Sequence, residues 1–397
     1  MFLSEKHGSR TTFLLLTAIV VIVASSSMFA FPIYRGFAKY ALIFFCLAVL
    51  FQRNESWQDI WELKQFLFPW VLGFVGSLSM ILIHGISGYS VYLESVLLGI
   101  LLTLILRQSS LKKENFLMML ATFNMIMSTV ILCAIYMNGL STFILGVNKN
   151  ILIISLSLST SVILAEFLLG KRGHMKQTGY YLVSLVFAMS AIIFTEVRTA
   201  VLGVFSVLPL VFFYQKKIKS IPCLIMGCLL ILLIFAFYES GRFHQGLLDL
   251  QKFEEGNSNS SWGIRLELYS LSVRAFLEQP VWGWGAGSIQ EVIKSGISFG
   301  VPTFNAHHYH SDFFTVLASA GLLGLIFWVA TVFCLFRLSN GNYLLIALLL
   351  ASLAMGLTDR VWFDNKSGLL ALTCLLTSLF FVHEQEERCK IANDVAN

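Results

Sequence analysis

The sequence predicts an all-α polytopic membrane protein, and three observations carry that reading. First, 57% of the 397 residues are hydrophobic and only 12% are charged, with a mean hydropathy of +0.78; soluble domains carry about 25% charged residues. Second, apolar runs near the roughly 20-residue length that crosses a bilayer recur along the whole chain. Third, the short loops between those runs alternate in their Lys and Arg content, as the positive-inside rule requires of a multi-pass protein.

The runs lie at 12–31, 37–52, 66–84, 91–106, 115–137, 150–169, 178–197, 199–214, 220–238, 313–337, 342–357 and 367–383. This makes about twelve spans, the shorter ones relying on snorkelling flanks. No small-residue cleavage site follows the first run, Phe13–Phe31, so it reads as a retained span and not a signal peptide. One set of alternate loops holds Lys6 and Arg10; Arg53 and Lys64; Arg107, Lys112 and Lys113; Lys171, Arg172 and Lys176; Lys216, Lys217 and Lys219; Arg337; and Arg388 with Lys390. The opposite short loops hold only Arg35, Lys39, Lys149, Arg198, Arg360 and Lys366. The richer set is expected in the cytoplasm together with both termini, which puts the polar stretch Glu239–Asp312 outside. The expected organisation is a membrane region of about nine spans over 1–238, an outer loop over 239–312, about three further spans over 313–383, and a cytoplasmic tail over 384–397. No repeat of about 20–50 residues and no inverted repeat stands out.

The outer loop is too long to be a simple connection, and its Trp262, Trp282 and Trp284 argue against disorder. Ser261–Gln279 reads as a helix: serines precede it as caps, Ile264, Leu268, Leu271 and Ala275 share a face, and Pro280 ends it. The Gly283–Gly287 sequence GWGAG is a breaker-rich turn, not a dinucleotide motif, because no strand precedes it. Its tryptophans are expected at the bilayer interface. Downstream, Gly321 and Gly324 fit close helix packing.

Composition also excludes. There is no basic stripe with interleaved aromatics, hence no nucleic-acid partner. The cysteines Cys46, Cys133, Cys223, Cys228, Cys334 and Cys374 fall in apolar spans and Cys389 in the tail, so neither a disulfide framework nor a Cys metal site is expected.

The residues suited to chemistry gather on the outer side. Arg198, in IIFTEVRTAVLG, sits at the end of a span, either snorkelling beside Glu196 or facing an anion in a polar cavity. Arg265 opens the loop helix, and two guanidiniums converging on one phosphate give bidentate bonds that Lys cannot copy. In the run His307-His308-Tyr309-His310-Ser311-Asp312, a neutral imidazole is suited to accepting a hydroxyl proton near neutral pH. His308 and His310 are also potential metal ligands, but the sequence shows no HExxH and no carboxylate at metal-site spacing, so no metal and no cofactor is expected. Asp359 either orients a histidine or pairs with Arg360.

In order, TEVRTAVLG, SSWGIRLELYSLSVRAFLEQPVWGWGAGS, NAHHYHSDFFTVLASAGLLGL and MGLTDRVWF resemble the bacterial O-antigen ligase family, within a wider superfamily that includes O-antigen polymerases. The resemblance covers roughly the second half of the chain. His308-Tyr309-His310 fits the family's His-x-His-Asn, with Ser311 in place of the Asn. It implies a GT-C-like glycosyltransferase in the inner membrane of a Gram-negative bacterium. The implied reaction is inverting and metal-independent, moving a glycan from an undecaprenyl diphosphate donor to a lipid A–core sugar at the periplasmic face. It implies His310 as base and Arg198 and Arg265 as diphosphate binders, with His308 and Asp359 supporting and membrane lipids around the spans. An O-antigen polymerase uses the same donor class. A lipid or solute transporter would use Arg198 as a substrate counter-charge, although the repeats and broken spans typical of transporters are not evident.

Overall fold

The structure is a computed structural model. It describes residues 64–85, 112–139, 143–144, 147–170, 175–214, 242–255, 260–287, 289–295 and 308–363, with short helical pieces at 96–97, 99–100, 372–373 and 375–379. The expected spans at 12–31, 37–52 and 220–238, most of 91–106 and 367–383, His307 and the tail lie outside the described residues. The described chain is built from helices: α1 (Lys64–His84), α2 (Lys113–Asn138), α3 (Lys149–Leu169), α4 (Met175–Phe194), α5 (Arg198–Phe205), α6 (Pro209–Tyr214), α7 (Arg242–Glu254), α8 (Ser261–Glu278), α9 (Ile289–Lys294), α10 (Asp312–Leu338) and α11 (Tyr343–Gly356). A short antiparallel pair precedes α3, with Phe143 opposite Asn148 and Ile144 opposite Val147.

Five of these helices are long and apolar enough to cross a membrane: Leu67–His84, Lys113–Met137, Leu152–Leu169, Gln177–Phe194 and Asp312–Leu338. Their outward faces agree with that. On α10, Leu322, Ile326, Val329 and Phe333 are each about half exposed and follow one another at helical spacing. Such a continuous apolar stripe suits lipid and would be a liability in water. Inside, α3 and α11 are buried against α2, α4 and α5, with a run of buried hydroxyls on α3 at Ser155, Ser157, Ser159, Thr160 and Ser161. The chain is a polytopic membrane protein.

The expected single span 199–214 is instead two helices, α5 and α6, separated by turns at 206–208. Pro209 explains the break, since it brings no N–H and disfavours helical backbone in the residue before it. The ladder tightens there: Val207, Leu208 and Leu210 donate to carbonyls three residues back, at 3.0–3.3 Å. Gly203 lets α5 pack closely on α11, because a Cβ there would lie 2.6 Å from Met355 Cγ.

Helix α8 and the turn after it fold onto the start of α10. Ser260 caps α8, its hydroxyl accepting the Gly263 N–H at 3.0 Å. Leu268, Leu271 and Ala275 are buried with Tyr309 and Ala318, whereas Ile264, expected on that face, is exposed. Helix α10 is broken at Gly321 (φ 59°, ψ −154°), and the turn after α8 fills the break. Trp284 and Gly285 N–H donate to Ala318 and Ser319 carbonyls at 2.9 and 2.8 Å, while Leu322 and Leu323 N–H donate to Pro280 and Val281 carbonyls at 2.8 and 3.2 Å. Backbone groups freed at membrane depth must find partners, and the turn supplies them. Both glycines are required by contact: a Cβ on Gly321 would lie 2.7 Å from Val281 O, and one on Gly283 would lie 2.6 Å from Ala320 N. Gly321 thus serves a backbone break and not the helix packing expected of it. Trp282 is half exposed, as an interfacial residue would be, but Trp284 turns inward, packs on the α8 cluster and donates Nε1–H to Ala275 O at 3.0 Å.

Candidate functional site

The histidine run lies between the outer loop and α10, and its backbone is tied on both sides. The Tyr269 hydroxyl, projecting from α8, is 3.2 Å from His310 O and 3.4 Å from Leu357 O. Its ring stacks on Phe314 at 4.2 Å, and Ser272 Oγ donates to Phe314 O at 2.6 Å. Ser311 donates its hydroxyl to Gly356 O at 3.1 Å, joining the run to the end of α11. Tyr309 is buried, which raises its phenol pKa. His310 adopts left-handed backbone, φ 52°, a region that residues other than glycine visit uncommonly. The result brings the His308 and His310 rings to 3.9 Å between centroids.

Asp312 organises the opposite wall. Its carboxylate is fully buried and accepts four hydrogen bonds from three successive amides: Val361 N–H to both oxygens (3.0 and 3.1 Å), Trp362 N–H to Oδ2 (3.1 Å) and Phe363 N–H to Oδ1 (3.1 Å). Gly356 passes against the same carboxylate, leaving no room for a Cβ. These bonds fold the segment after α11 back over the histidines. Asp359 accepts the Arg360 N–H at 2.9 Å, and its carboxylate joins His308 and His310 in one cluster, with one ligand atom from each residue all within 4.8 Å of one another. The carboxylate missing from the local sequence is therefore supplied by a distant turn. Thr358 Oγ1 donates to Thr199 Oγ1 at 3.2 Å, which brings the start of α5, and with it half-buried Arg198, beside this turn.

The electrostatics of the cluster are cationic. Burial first, then the charges of Arg265 and Arg360, push the His310 pKa down to about 4 from its ordinary 6.5. His310 is accordingly a neutral imidazole at physiological pH, and its Nδ1 is buried with no hydrogen-bond partner among the described residues. Two histidines and a carboxylate are a donor set for a divalent ion, but a cation there would face the charges of both Arg265 and Arg360. The arrangement fits an anion better. Arg198 adds to this, since a guanidinium on the first residue of a helix sits at the positive end of its dipole.

Beside the cluster, α1 and α10 enclose an apolar groove of about 830 Å³, counting its open mouth. Trp70, Gly76, Phe327, Trp328, Trp362 and Phe363 line it, so two of the residues whose amides Asp312 holds also line the groove.

His308, His310 and Asp359 are thus brought together directly, Arg265 by its charge on His310, and Arg198 through its neighbour Thr199. Asp312, Tyr269 and Arg360 were not singled out by sequence reasoning. Asp312 carried a signal, a carboxylate at the mouth of a long apolar span, which is rare without a partner.

A family model described as O-Antigen ligase matches residues 183–329, a stretch that contains Arg198, Arg265, His308 and His310 and stops short of Asp359. Among curated proteins, an O-antigen ligase of Escherichia coli (strain K12) is 25% identical over 198 residues, 47% of this chain and 47% of the relative. The match thus spans about half the length of that relative. Together these matches support a similarity to the O-antigen ligase family, which the family model finds over residues 183–329.

Proposed function

We propose that the protein is a glycosyltransferase of the O-antigen ligase type. It moves a glycan from an undecaprenyl diphosphate carrier onto a lipid A–core sugar hydroxyl at the periplasmic face of a Gram-negative inner membrane, within a GT-C-like fold. The observation that carries the reading is the histidine cluster: a neutral imidazole, His310, whose buried Nδ1 has no hydrogen-bond partner among the described residues and which feels the charges of Arg265 and Arg360. The acceptor hydroxyl oxygen attacks the anomeric carbon, the bond from that carbon to the diphosphate oxygen breaks, and the hydroxyl proton passes to His310. A single displacement inverts the anomeric centre. Arg198 and Arg265 receive the departing diphosphate through charge-assisted bonds, His308 and Asp359 orient His310, and the α1–α10 groove takes the carrier's isoprenoid tail. Because guanidiniums meet the developing charge, no metal is required.

The test is transfer by purified enzyme in EDTA, with lipid-linked donor and core acceptor. General-base assistance is worth about 10²–10⁴-fold, so His310→Ala should lose that much while still inserting, and His308→Ala should lose less. Inhibition by EDTA that a divalent ion restores would move His308, His310 and Asp359 to a metal site and end the base assignment. In a deletion strain, loss of all capped lipopolysaccharide marks a ligase, whereas a single repeat left on the core marks a polymerase.

A further inference from the structure

We infer that Arg360 is a further guanidinium of the anion site and that Asp312 is its positioning residue. The inference rests on the diphosphate-transfer reading above and adds to it a residue beyond the family-matched stretch. Arg360 lies between two anchored points. On one side is Asp359, whose carboxylate belongs to the His308–His310 cluster and also accepts the Arg360 N–H. On the other side is Val361, the first of the three amides gripped by Asp312. A residue so held cannot drift from the cluster without breaking several buried bonds. Arg360 Nε is itself buried, and among the described residues it has no hydrogen-bond partner. A buried guanidinium N–H without an acceptor is costly, and a phosphate oxygen is the acceptor its charge and planar fork suit best. Asp312 cannot serve as that acceptor by hydrogen bonding, because the amides of residues 361–363 occupy its oxygens.

The chemistry needs such a group. As the anomeric C–O bond breaks, the lipid diphosphate gains a negative charge on the bridging oxygen. A cation fixed near His310, where the charges of both Arg265 and Arg360 are felt, meets that charge without reorganisation. Asp312 does not touch substrate in this scheme; it acts by setting the turn that carries Arg360.

The experiment uses the full-length detergent-purified protein, with inorganic pyrophosphate as inhibitor of transfer and as titrant in calorimetry. Loss of one charge-assisted contact should weaken pyrophosphate binding about ten- to hundredfold in Arg360→Gln, similarly in Arg265→Gln, and not in Arg274→Gln on the exposed face of α8. Arg360→Lys, which keeps charge but not the fork, should fall between. Asp312→Asn should weaken binding as well, and the double variant Asp312→Asn/Arg360→Gln should lose no more than Arg360→Gln alone, since both changes remove one contact. Additive losses would make Asp312 merely structural. Normal pyrophosphate binding by Arg360→Gln, with Arg265→Gln impaired, would overturn the Arg360 assignment and leave diphosphate transfer standing. A wild-type enzyme indifferent to pyrophosphate and inactive on the lipid-linked donor would bring down both. If Asp312→Asn fails to insert, the Gln and Lys variants of Arg360 still decide its role.

Discussion

The pH dependence of transfer follows from the surroundings of His310 and differs sharply from that of an ordinary histidine. Burial, Arg265 and Arg360 hold its pKa at about 4 rather than 6.5. The direction matters: a base works only when deprotonated, so activity should persist as pH falls through 6.5 and be lost only near 4. At pH 5.5 a histidine with pKa 6.5 is about 9% neutral, whereas one with pKa 4 is about 97% neutral, roughly a tenfold difference in competent enzyme. The assay is kcat/KM for glycan transfer from pH 4 to 8, because that ratio reports the free enzyme. Bound diphosphate places negative charge beside Arg265 and Arg360 and removes part of what depresses the pKa. The acid limb of kcat should therefore lie at higher pH than that of kcat/KM. An acid limb in kcat/KM centred near 6.5 would refute this account of His310, and an unchanged profile in His310→Ala would show that the limb belongs to another group.

Two other perturbations test the frame of the site. Gly321→Ala adds a Cβ 2.7 Å from Val281 O at a backbone angle almost restricted to glycine, and should cost about 3 kcal/mol or more from strain and overpacking together; Gly287→Ala, with positive φ but open space around it, should cost about 1 kcal/mol in the same thermal-unfolding measurement. Arg198→Lys keeps the charge and should still lose most transfer activity, because an ammonium cannot form the bidentate fork. Near-normal activity of Arg198→Lys would reduce Arg198 to a snorkelling residue.

What was legible in the sequence was whatever depends on local pattern. The five long spans, the loop helix and its serine cap follow from composition, spacing and short-range signals, and α8 begins where the serines and ends where Pro280 direct it. Features that depend on contacts between distant segments were not legible. Ile264 fits the apolar face by spacing, but the docking angle of α8 leaves it exposed. Gly321 fits a packing role by pattern, because sequence does not reveal that the Pro280 and Val281 carbonyls will accept the Leu322 and Leu323 N–H groups of a broken helix. At the site, residue types pointed to His310, Arg198 and Arg265 individually. Only the fold brings Asp359 to the histidines, and only the fold shows Asp312 tying the two sides together.

The Asp312 clamp has a consequence for the order in which the molecule is made. Its carboxylate belongs to the first residue of α10, but every donor that satisfies it comes from residues 361–363, translated after α11. An unpaired carboxylate is expensive to bury, so until those residues emerge the outer end of α10 has reason to stay at the water boundary. Its final seating therefore waits for α11 to be laid alongside and for the following turn to fold back. A nascent chain halted after Leu338 would carry Arg198, Arg265 and both site histidines, yet lack the turn that encloses them. Maturation of the site thus waits until α10 and α11 are both threaded.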